Sequence, residues 1–383
     1  MVAAVRRGVA LRAVARRFGV ALSTVQWWVR HAGLQRLDRV DWSDRSRRPH
    51  RIHRTPQAVE DAVLVLREEL RAHSVLGEYG APAIHRALQG QARETVPSLR
   101  TVSRILTRRG VLDSRRRVRR PAPPPGWYLP LVASGDAELD SVDVIEGLKI
   151  DHGPTIEVLT AISLHGGLTG AWPTRYVTAK GVVHTLERHW GDVGLPTFAQ
   201  FDNDTVFQGA HQHRDCISRV MRLCLQLGVT PVFAPPREHG FQAAIESFNG
   251  RWQAKVWARY HHANLRAVQQ RAARYTRAHR QRVAVRIEAA PVRRLIPAAW
   301  HLDLQRQPQG TVVFLRRTDP HGRVSLLGHR VLVDRQWTHR LVRAEVDLLA
   351  GEIRCYALRR RNPADQPLLR VTPYALPRRP FRE

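Results

Sequence analysis

The hexapeptide AQFDND (residues 199–204) decides our interpretation of the fold. Its first half ends a short apolar run of the kind that forms a buried strand, and Asp202, Asn203 and Asp204 follow at once. A strand end buried in a sheet holds a carboxylate on a rigid element, as a site of defined geometry requires. The flanking sequence must therefore show whether other acids reach the same position.

The elements on either side of this stretch predict a mixed sheet flanked by helices. Upstream, the alternating and apolar patterns predict strands over 137–145, 155–164 and 166–177, and then an amphipathic helix over 178–194. Downstream they predict a helix near 213–227, a strand at 229–233 and a long helix at 241–262. The element order is βββαβαβα.

Three acids occur where this topology could bring them together. Asp140 lies inside the first predicted strand, Asp202 ends the fourth, and Glu246 lies on the helix after the fifth. Without cations, three clustered carboxylates would repel one another and at least one pKa would rise. We interpret them as candidate ligands for divalent metal ions, and ordinary turn and surface acids are the alternative.

The order of these motifs resembles that of the DDE transposases and retroviral-type integrases, and most of all bacterial insertion-sequence transposases. The matching features are Asp140 in a strand before a Gly-bounded hairpin, the pair Asp202-Asn203 with Phe207 after it, and Glu246 near the start of a helix. That helix follows a Pro-containing loop and carries aromatic and basic residues. Two departures are Asp204, where the family usually has Gly, and a longer interval between Asp202 and Glu246.

The resemblance implies a ribonuclease-H-like core in which the first and fourth strands are neighbours and the helix bearing the Glu packs across that edge. It also implies that Asp140, Asp202 and Glu246 hold two Mg²⁺ ions, for which Mn²⁺ can substitute. Two such ions can activate an attacking oxygen and stabilise the leaving oxygen of a phosphodiester. The expected activity is cleavage of DNA and strand transfer by a homo-oligomer.

Several other residues are candidates for roles around this site. Asn203 and Asp204 follow the second acid, and Asn249 shares the helix face of Glu246. Arg251 and Lys255 point towards the far side of that helix, where only their long side chains could reach DNA phosphates.

Other acids are interpreted as surface, turn or structural residues, and one further group of residues as an alternative metal site. Asp143 has the opposite strand parity to Asp140, so we predict a surface or structural role for it. Glu146 suits a turn, and Glu157 suits an exposed or paired position. A zinc site is the alternative for four residues whose spacing fits no ordinary knuckle: His211, His213, Cys216 and Cys224.

The N-terminal third predicts two small helical modules that could bind DNA. Residues 1–34 suggest a helix-turn-helix that exposes Ser23, Thr24 and Gln26 to a major groove, and residues 35–55 a basic linker. A helical hairpin without a DNA role is the alternative. A second helical module over 56–113 presents three arginines outward, which could equally form a solvated face: Arg100, Arg104 and Arg108.

The remaining segments complete a multidomain α/β prediction. An Arg/Pro-rich tether is expected over 114–133, before a catalytic core at 134–262. After the core we expect a basic helical segment at 263–304, a small barrel-like β module at 305–362, and a frayed tail at 363–383.

The composition points to a polyanionic partner. The chain has 383 residues and a formal net charge of +29 at pH 7, with 62 Lys and Arg against 33 Asp and Glu. Double-stranded DNA is the expected partner. No apolar run predicts a membrane span or a signal peptide, and only three cysteines occur, so we expect a cytoplasmic, nucleoid-associated protein.

These features predict a transposase that binds the ends of a mobile DNA element and joins them to new DNA. The rival hypothesis is a catalytically inactive, repurposed DNA-binding protein derived from such an enzyme. A general nuclease of the same fold is less consistent with two DNA-reading modules.

Overall fold

The computed structural model describes residues 1–43, 55–91, 96–112, 124–210, 213–238 and 240–381. The chain divides into two compact units, Met1–Val59 and Glu60–Glu383. No helix in the described ranges is both long enough and apolar enough to cross a membrane.

The first unit contains three short helices: α1 (Val2–Arg6), α2 (Leu11–Phe18) and α3 (Leu22–Ala32). Gly19 ends α2 with φ +62°, a left-handed conformation that most side chains disfavour. Val14 and Val25 are fully buried between α2 and α3, as their spacing predicts. Phe18, which the same spacing assigns to the core, is 49% exposed instead.

Three helices surround a small apolar core near the start of the second unit, and the first of them begins three residues before that unit: α4 (Gln57–His73), α5 (Ala81–Gly90) and α6 (Leu99–Arg108). Val63, Ile84 and Ile105 are fully buried at its centre. Part of the predicted tether lies outside the described residues, but its end is packed rather than extended. Trp127 and Tyr128 are buried there, directly before the short helix α7 (Pro130–Ala133).

One nine-stranded sheet forms the centre of the second unit. Its order is β11-β10-β9-β6-β5-β4-β1-β2-β3. Strands β1 to β3 are antiparallel, whereas β1, β4, β5 and β6 run parallel. The strands are β1 (Leu139–Lys149), β2 (Thr155–Ser163), β3 (Thr169–Thr174), β4 (Phe198–Phe201), β5 (Thr230–Phe233), β6 (Thr311–Arg317), β9 (Leu341–Asp347), β10 (Glu352–Ala357) and β11 (Leu368–Pro373), with β7 (Arg323–Leu326) and β8 (His329–Leu332) forming a separate hairpin.

Helices pack on both faces of the sheet. Three of these helices are capped at the N-terminus by side-chain oxygens: α8 by Thr178, α10 by Ser218 and α12 by Asn264. On one face, α8 and α10 pack through residues that include Leu186, Trp190 and Val220. On the other, α11 and α12 pack through residues that include Phe248 and Trp252. The helices are α8 (Ala179–Val193), α9 (Thr205–Gln208), α10 (Arg219–Gln226), α11 (Ala243–Trp252) with a π-helical turn at Gln253–Trp257, α12 (Leu265–Arg282) and α13 (Ala284–Glu288).

The predicted strand order is confirmed in its central feature, because β1 and β4 are neighbours. The prediction of a separate C-terminal barrel is wrong. Strand β6 pairs in parallel with β5, and Phe314 stacks on Phe233 with ring centroids 5.3 Å apart. The C-terminal strands therefore extend the central sheet. Part of the predicted tail also forms a strand of this sheet, since β11 pairs with β10.

Candidate active site

Two aspartates lie level with each other on neighbouring parallel strands. In the β1–β4 ladder, Ser141 pairs with Gln200, so Asp143 and Asp202 are each two residues further along. Adjacent strands are about 4.8 Å apart, and residues two apart on a strand share a face. Asp143 and Asp202 therefore form a pair of acids at the carboxyl end of β4.

Helix α11 brings a third acid and an amide to this pair. Glu246 is exposed in the first turn of α11, and Asn249 lies one turn further along on the same face. Asn249 Nδ2 donates a hydrogen bond to Asp143 Oδ2 at 2.8 Å, and Thr160 Oγ1 donates to Asn249 Oδ1 at 2.8 Å. Asn249 therefore fixes the orientation of the Asp143 carboxylate.

The three carboxylates interact electrostatically. Burial raises the pKa of Asp143 to about 6, and the charges of Asp202, Glu246 and Glu146 add to that rise. Burial also raises the pKa of Asp202; the Asp204 backbone N–H opposes this rise and the Asp204 charge adds to it. A bound cation would relieve the repulsion that acts on the Asp143 carboxylate.

Asp140, the first acid that the sequence predicts for this site, lies elsewhere. It pairs with Ala199 in the ladder, three residues before Asp202, and its side chain is on the α8 face of the sheet. Trp190 Nε1 donates to Asp140 Oδ2 at 3.1 Å, and Arg293 forms a salt bridge with the same carboxylate. The predicted grouping is therefore corrected: Asp143, not Asp140, accompanies Asp202 and Glu246.

The reason for this correction is strand parity. Asp140 and Asp143 point to opposite faces of β1, and the helix that carries Glu246 packs on the Asp143 face. Burial raises the pKa of Asp140, and the Arg293 guanidinium opposes that rise. The Asp140–Arg293 pair is a buried structural ion pair, with 2% of the Asp140 side chain and 13% of the Arg293 side chain exposed.

A buried histidine next to this ion pair predicts acid sensitivity. Burial, followed by the charges of Arg280 and Arg293, lowers the pKa of His189 to about 3. An unfolded histidine has a pKa of about 6.5, so below that pH the unfolded state binds one proton more than the folded state. We expect the His189 contribution to the free energy of unfolding to fall by up to about 1.4 kcal/mol per unit as pH drops from 6.5 to 4.

Urea unfolding at several pH values measures this effect. The variant His189→Gln should lose stability less steeply than the wild type over the same pH range, because it has no proton to gain. Equal slopes for the two proteins would contradict the prediction.

The residues after Asp202 organise its loop. Asp204 caps α9 by accepting a hydrogen bond from the Val206 backbone N–H at 2.8 Å, and its own N–H donates to Asp202 Oδ1 at 2.9 Å. Asn203 Nδ2 donates to the Ala234 carbonyl at 2.7 Å, which ties this loop to the end of β5. Asp204 therefore caps α9 and also holds the Asp202 carboxylate through its backbone N–H.

The two basic residues predicted on the helix of Glu246 differ in their surroundings. Arg251 is exposed, and its Nε donates to the Ser247 carbonyl on the same helix at 3.1 Å. Lys255 belongs to the π-helical turn and is half-buried, with Nζ 5.5 Å from the ring centroid of Tyr79. Lys255 therefore contacts the α4–α6 module rather than the acid cluster.

The remaining predicted DNA contacts are exposed to solvent, except for Thr24. Ser23 and Gln26 are exposed on α3, and Thr24 is half-buried. Arg100 and Arg104 are exposed on α6. Arg108 is exposed too, but it forms a salt bridge with Glu60 on α4.

Hard oxygen donors make the site chemically suited to Mg²⁺. This ion is often held by one or two carboxylates, with waters and substrate phosphates completing its shell. In the described ranges, no three His, Cys, Asp or Glu side chains form a group that could hold a metal ion. The Asp143–Asp202 pair fits a site completed by the substrate, and the zinc alternative gains no support, with His211 outside the described residues.

Comparisons with known proteins give weak likenesses only. No protein-family model matches the sequence, and no curated protein matches it. Among solved structures, the match to the catalytic core domain of BIV integrase has 16% identity and a TM-score of 0.26, and it covers 36% of this chain and 80% of that chain. The match to the HTLV-2 integrase catalytic core domain in complex with magnesium has 12% identity and a TM-score of 0.27, and it covers 35% of this chain and 81% of that chain.

Proposed function

We propose that this protein is a metal-dependent DNA transposase with a ribonuclease-H-like catalytic core, in which Asp143, Asp202 and Glu246 form the acidic site. The observation that carries the proposal is the pair of acids level with each other on β1 and β4. The helix that bears Glu246 packs over the same face, as the resemblance to DDE transposases implies.

Each of the chain's own residues would have a distinct role at this site. Asp143 and Asp202 would hold the metal ions from rigid strands, Asn249 would keep Asp143 in its productive orientation, and the exposed Glu246 would complete the site beside the DNA. When bound, Mg²⁺ supplies activation of the attacking oxygen and charge stabilisation at the leaving oxygen. Water would be the first nucleophile and a DNA 3′-hydroxyl the second.

The DNA would be held by arginines and by the two helical modules. The net charge of +29 favours a polyanion, and the exposed residues of α3 and α6 are available for groove and phosphate contacts. A reaction that joins two ends of an element to one target requires at least two copies of the chain in one complex.

A catalytically inactive DNA-binding protein is the second candidate function. It is favoured by the absence, within the described ranges, of a ready-made group of three metal ligands. The two candidates differ in one outcome only, which is whether the bound DNA is cut.

Cleavage of DNA ends separates the two candidates. The purified full chain would be incubated with duplex oligonucleotides that carry candidate ends, taken from short inverted repeats sought in the DNA around its gene, in Mg²⁺, in Mn²⁺ and in EDTA. Metal-dependent nicking at the end of the repeat supports the transposase. Binding of the true ends without any cut in either metal supports the inactive protein.

The hydrogen bond from Asn249 gives a prediction about orientation. Asn249→Ala removes the donor to Asp143 and the acceptor for Thr160 Oγ1. Loss of such an outer partner of a metal ligand typically lowers activity by about 10- to 100-fold. We expect that reduction in the initial rate of nicking, with the dissociation constant for DNA unchanged.

The exposed Gln253, one turn beyond Asn249, is the matched control. Gln253→Ala should cut at the wild-type rate. If Asn249→Ala were equally active, Asn249 would have no part in positioning the acid.

A further inference from the structure

A buried arginine from the C-terminal half of the sheet lies beside the loop that follows Asp202. Arg316 is the sixth residue of β6 and is 8% exposed. Its Nη2 donates to Asn203 Oδ1 at 2.8 Å, and its Nη1 donates to the carbonyls of Leu315 and Ala234 at 2.9 and 3.3 Å. The guanidinium therefore lies against the residue next to Asp202.

The charge of Arg316 has no counter-ion within the described residues. All three of its acceptors are neutral, and burial, which lowers its pKa to about 10, is the only effect on that pKa. Arg343, a buried arginine on the adjacent strand β9, instead donates to Glu345 Oε1 at 2.8 Å. An uncompensated buried charge costs several kcal/mol, so a protein that keeps one is expected to use it.

Arg222, a second buried arginine with neutral acceptors, differs from Arg316. It donates to three backbone carbonyls. Burial lowers its pKa, and the charges of Cys216 and Asp303 oppose that fall, whereas burial alone acts on the pKa of Arg316.

Arg316 lines a cavity of about 220 Å³ together with Asn203, Gln208, His213 and Cys216. A water molecule occupies about 30 Å³ of liquid, so the cavity has room for a phosphate group. Gln208 Oε1 is buried without a hydrogen-bond partner among the described residues. Because rotation exchanges the two ends of a Gln amide, this group can present either an acceptor or a donor to a ligand.

We propose that Arg316, with Asn203 and Gln208 beside it, forms a binding site for a backbone phosphate of the DNA strand held at the acid cluster. The inference rests on the proposed function, because it assigns this phosphate to the same bound DNA. A diester phosphate supplies the missing negative charge, and an arginine binds it with charge-assisted hydrogen bonds. The C-terminal strands would then contribute directly to substrate binding.

Salt-dependent DNA binding by the full chain tests this site. Fluorescence anisotropy with the duplex oligonucleotide would compare wild type and Arg316→Met between low and moderate NaCl. We expect roughly tenfold weaker binding in the variant, since a hydrogen bond to a charged group is worth that much. The slope of log affinity against log salt should fall by about 0.9, the value for one phosphate contact.

Two further variants separate binding from folding. Arg316→Lys keeps the charge and should keep the salt slope. Arg343→Met removes an equally buried but ion-paired arginine, and it should lower the melting temperature without changing the slope. The melting temperature of Arg316→Met should be no lower than that of Arg343→Met, because the Arg316 substitution removes a charge that has no ion-pair partner among the described residues.

Cys216 reports directly on the cavity. In the described residues, Cys216 is half-buried while Cys224 and Cys355 are fully buried. DNA should slow maleimide labelling of Cys216 in the wild type and have less effect in Arg316→Met, as measured by mass spectrometry at pH 8.5.

The outcomes distinguish this inference from the proposed function. If wild type binds DNA, and Arg316→Met binds with the same affinity and salt slope, the phosphate site is overturned while the transposase proposal stands. Labelling of Cys216 that DNA does not slow would overturn the site in the same way. If the wild type neither binds nor cuts duplex DNA, the proposed function fails and the phosphate site fails with it.

Discussion

Replacing Asp143 by Asn is expected to lower the rate of metal-dependent DNA cleavage by at least about a thousandfold, equivalent to roughly 4 kcal/mol of transition-state stabilisation. The amide is nearly the same shape as the carboxylate, but it carries no charge to hold a divalent cation. Asp202→Asn should have an effect of the same order, because the two acids lie level on neighbouring strands.

Folding should be unaffected by this change. Burial and the charges of Asp202 and Glu246 disfavour the ionised form of Asp143, so a neutral side chain relieves repulsion. Thermal unfolding should show a melting temperature equal to or above that of the wild type, and DNA affinity should be retained.

Asp151→Asn is a suitable control, because Asp151 is an exposed acid in the turn between β1 and β2 and forms a salt bridge with the exposed His261. Wild-type cleavage is expected for that control. Full activity in Asp143→Asn would falsify the assignment of this residue.

The second large effect is structural. Asp140→Ala is expected to lower the free energy of unfolding by about 3–5 kcal/mol, because it leaves the Arg293 guanidinium buried without its partner. Trp190 also loses the acceptor for its indole N–H. Urea unfolding monitored by tryptophan fluorescence and circular dichroism measures the loss.

A double-mutant cycle tests the cause. Arg293→Met should also be destabilising, and the double variant Asp140→Ala/Arg293→Met should lose less stability than the sum of the two single variants. Additive losses would remove the ion pair as the explanation. If Asp140→Asn instead folded with wild-type stability and failed to cut DNA, Asp140 would have to be a catalytic residue.

The sequence predicts the central part of this fold because its signals are local. Short apolar runs with polar ends at 139–149, 198–201 and 230–233 form strands, and Gly- and Pro-containing segments form the turns. The positions of Asp202 at a strand end and Glu246 at a helix start follow from the same local patterns. In the structure Asp202 directly follows β4, Glu246 lies in the first turn of α11, and the charges of both act on Asp143.

The choice between Asp140 and Asp143 could not be made from the sequence. The first half of β1 is covered on both faces, so its pattern lacks the alternation that would identify the face under α11. The partner of Asp140 is also distant, since Arg293 lies 153 residues further along the chain. Only the structure identifies the acid on the face of α11, through the hydrogen bond that Asn249 Nδ2 donates to Asp143.

The C-terminal strands were predicted as strands but not as part of the central sheet. The continuous apolar run 312–315 indicates a strand and gives no information on its neighbour, because pairing depends on contacts between distant segments. The salt bridge, the sheet extension and the cavity of Arg316 all join segments far apart in sequence, which is why local patterns miss them.

Pairing of β5 with β6 has a consequence for the order of events during synthesis. Residues 230–233 emerge from the ribosome well before residues 311–317, and contacts with such long separation in sequence form slowly. A nascent chain can therefore assemble the acids of β1, β4 and α11 while Asp140 still lacks Arg293 and the loop of Asn203 still lacks Arg316. The loop of Asn203 therefore gains its contact with Arg316 only after residues 311–317 have been made.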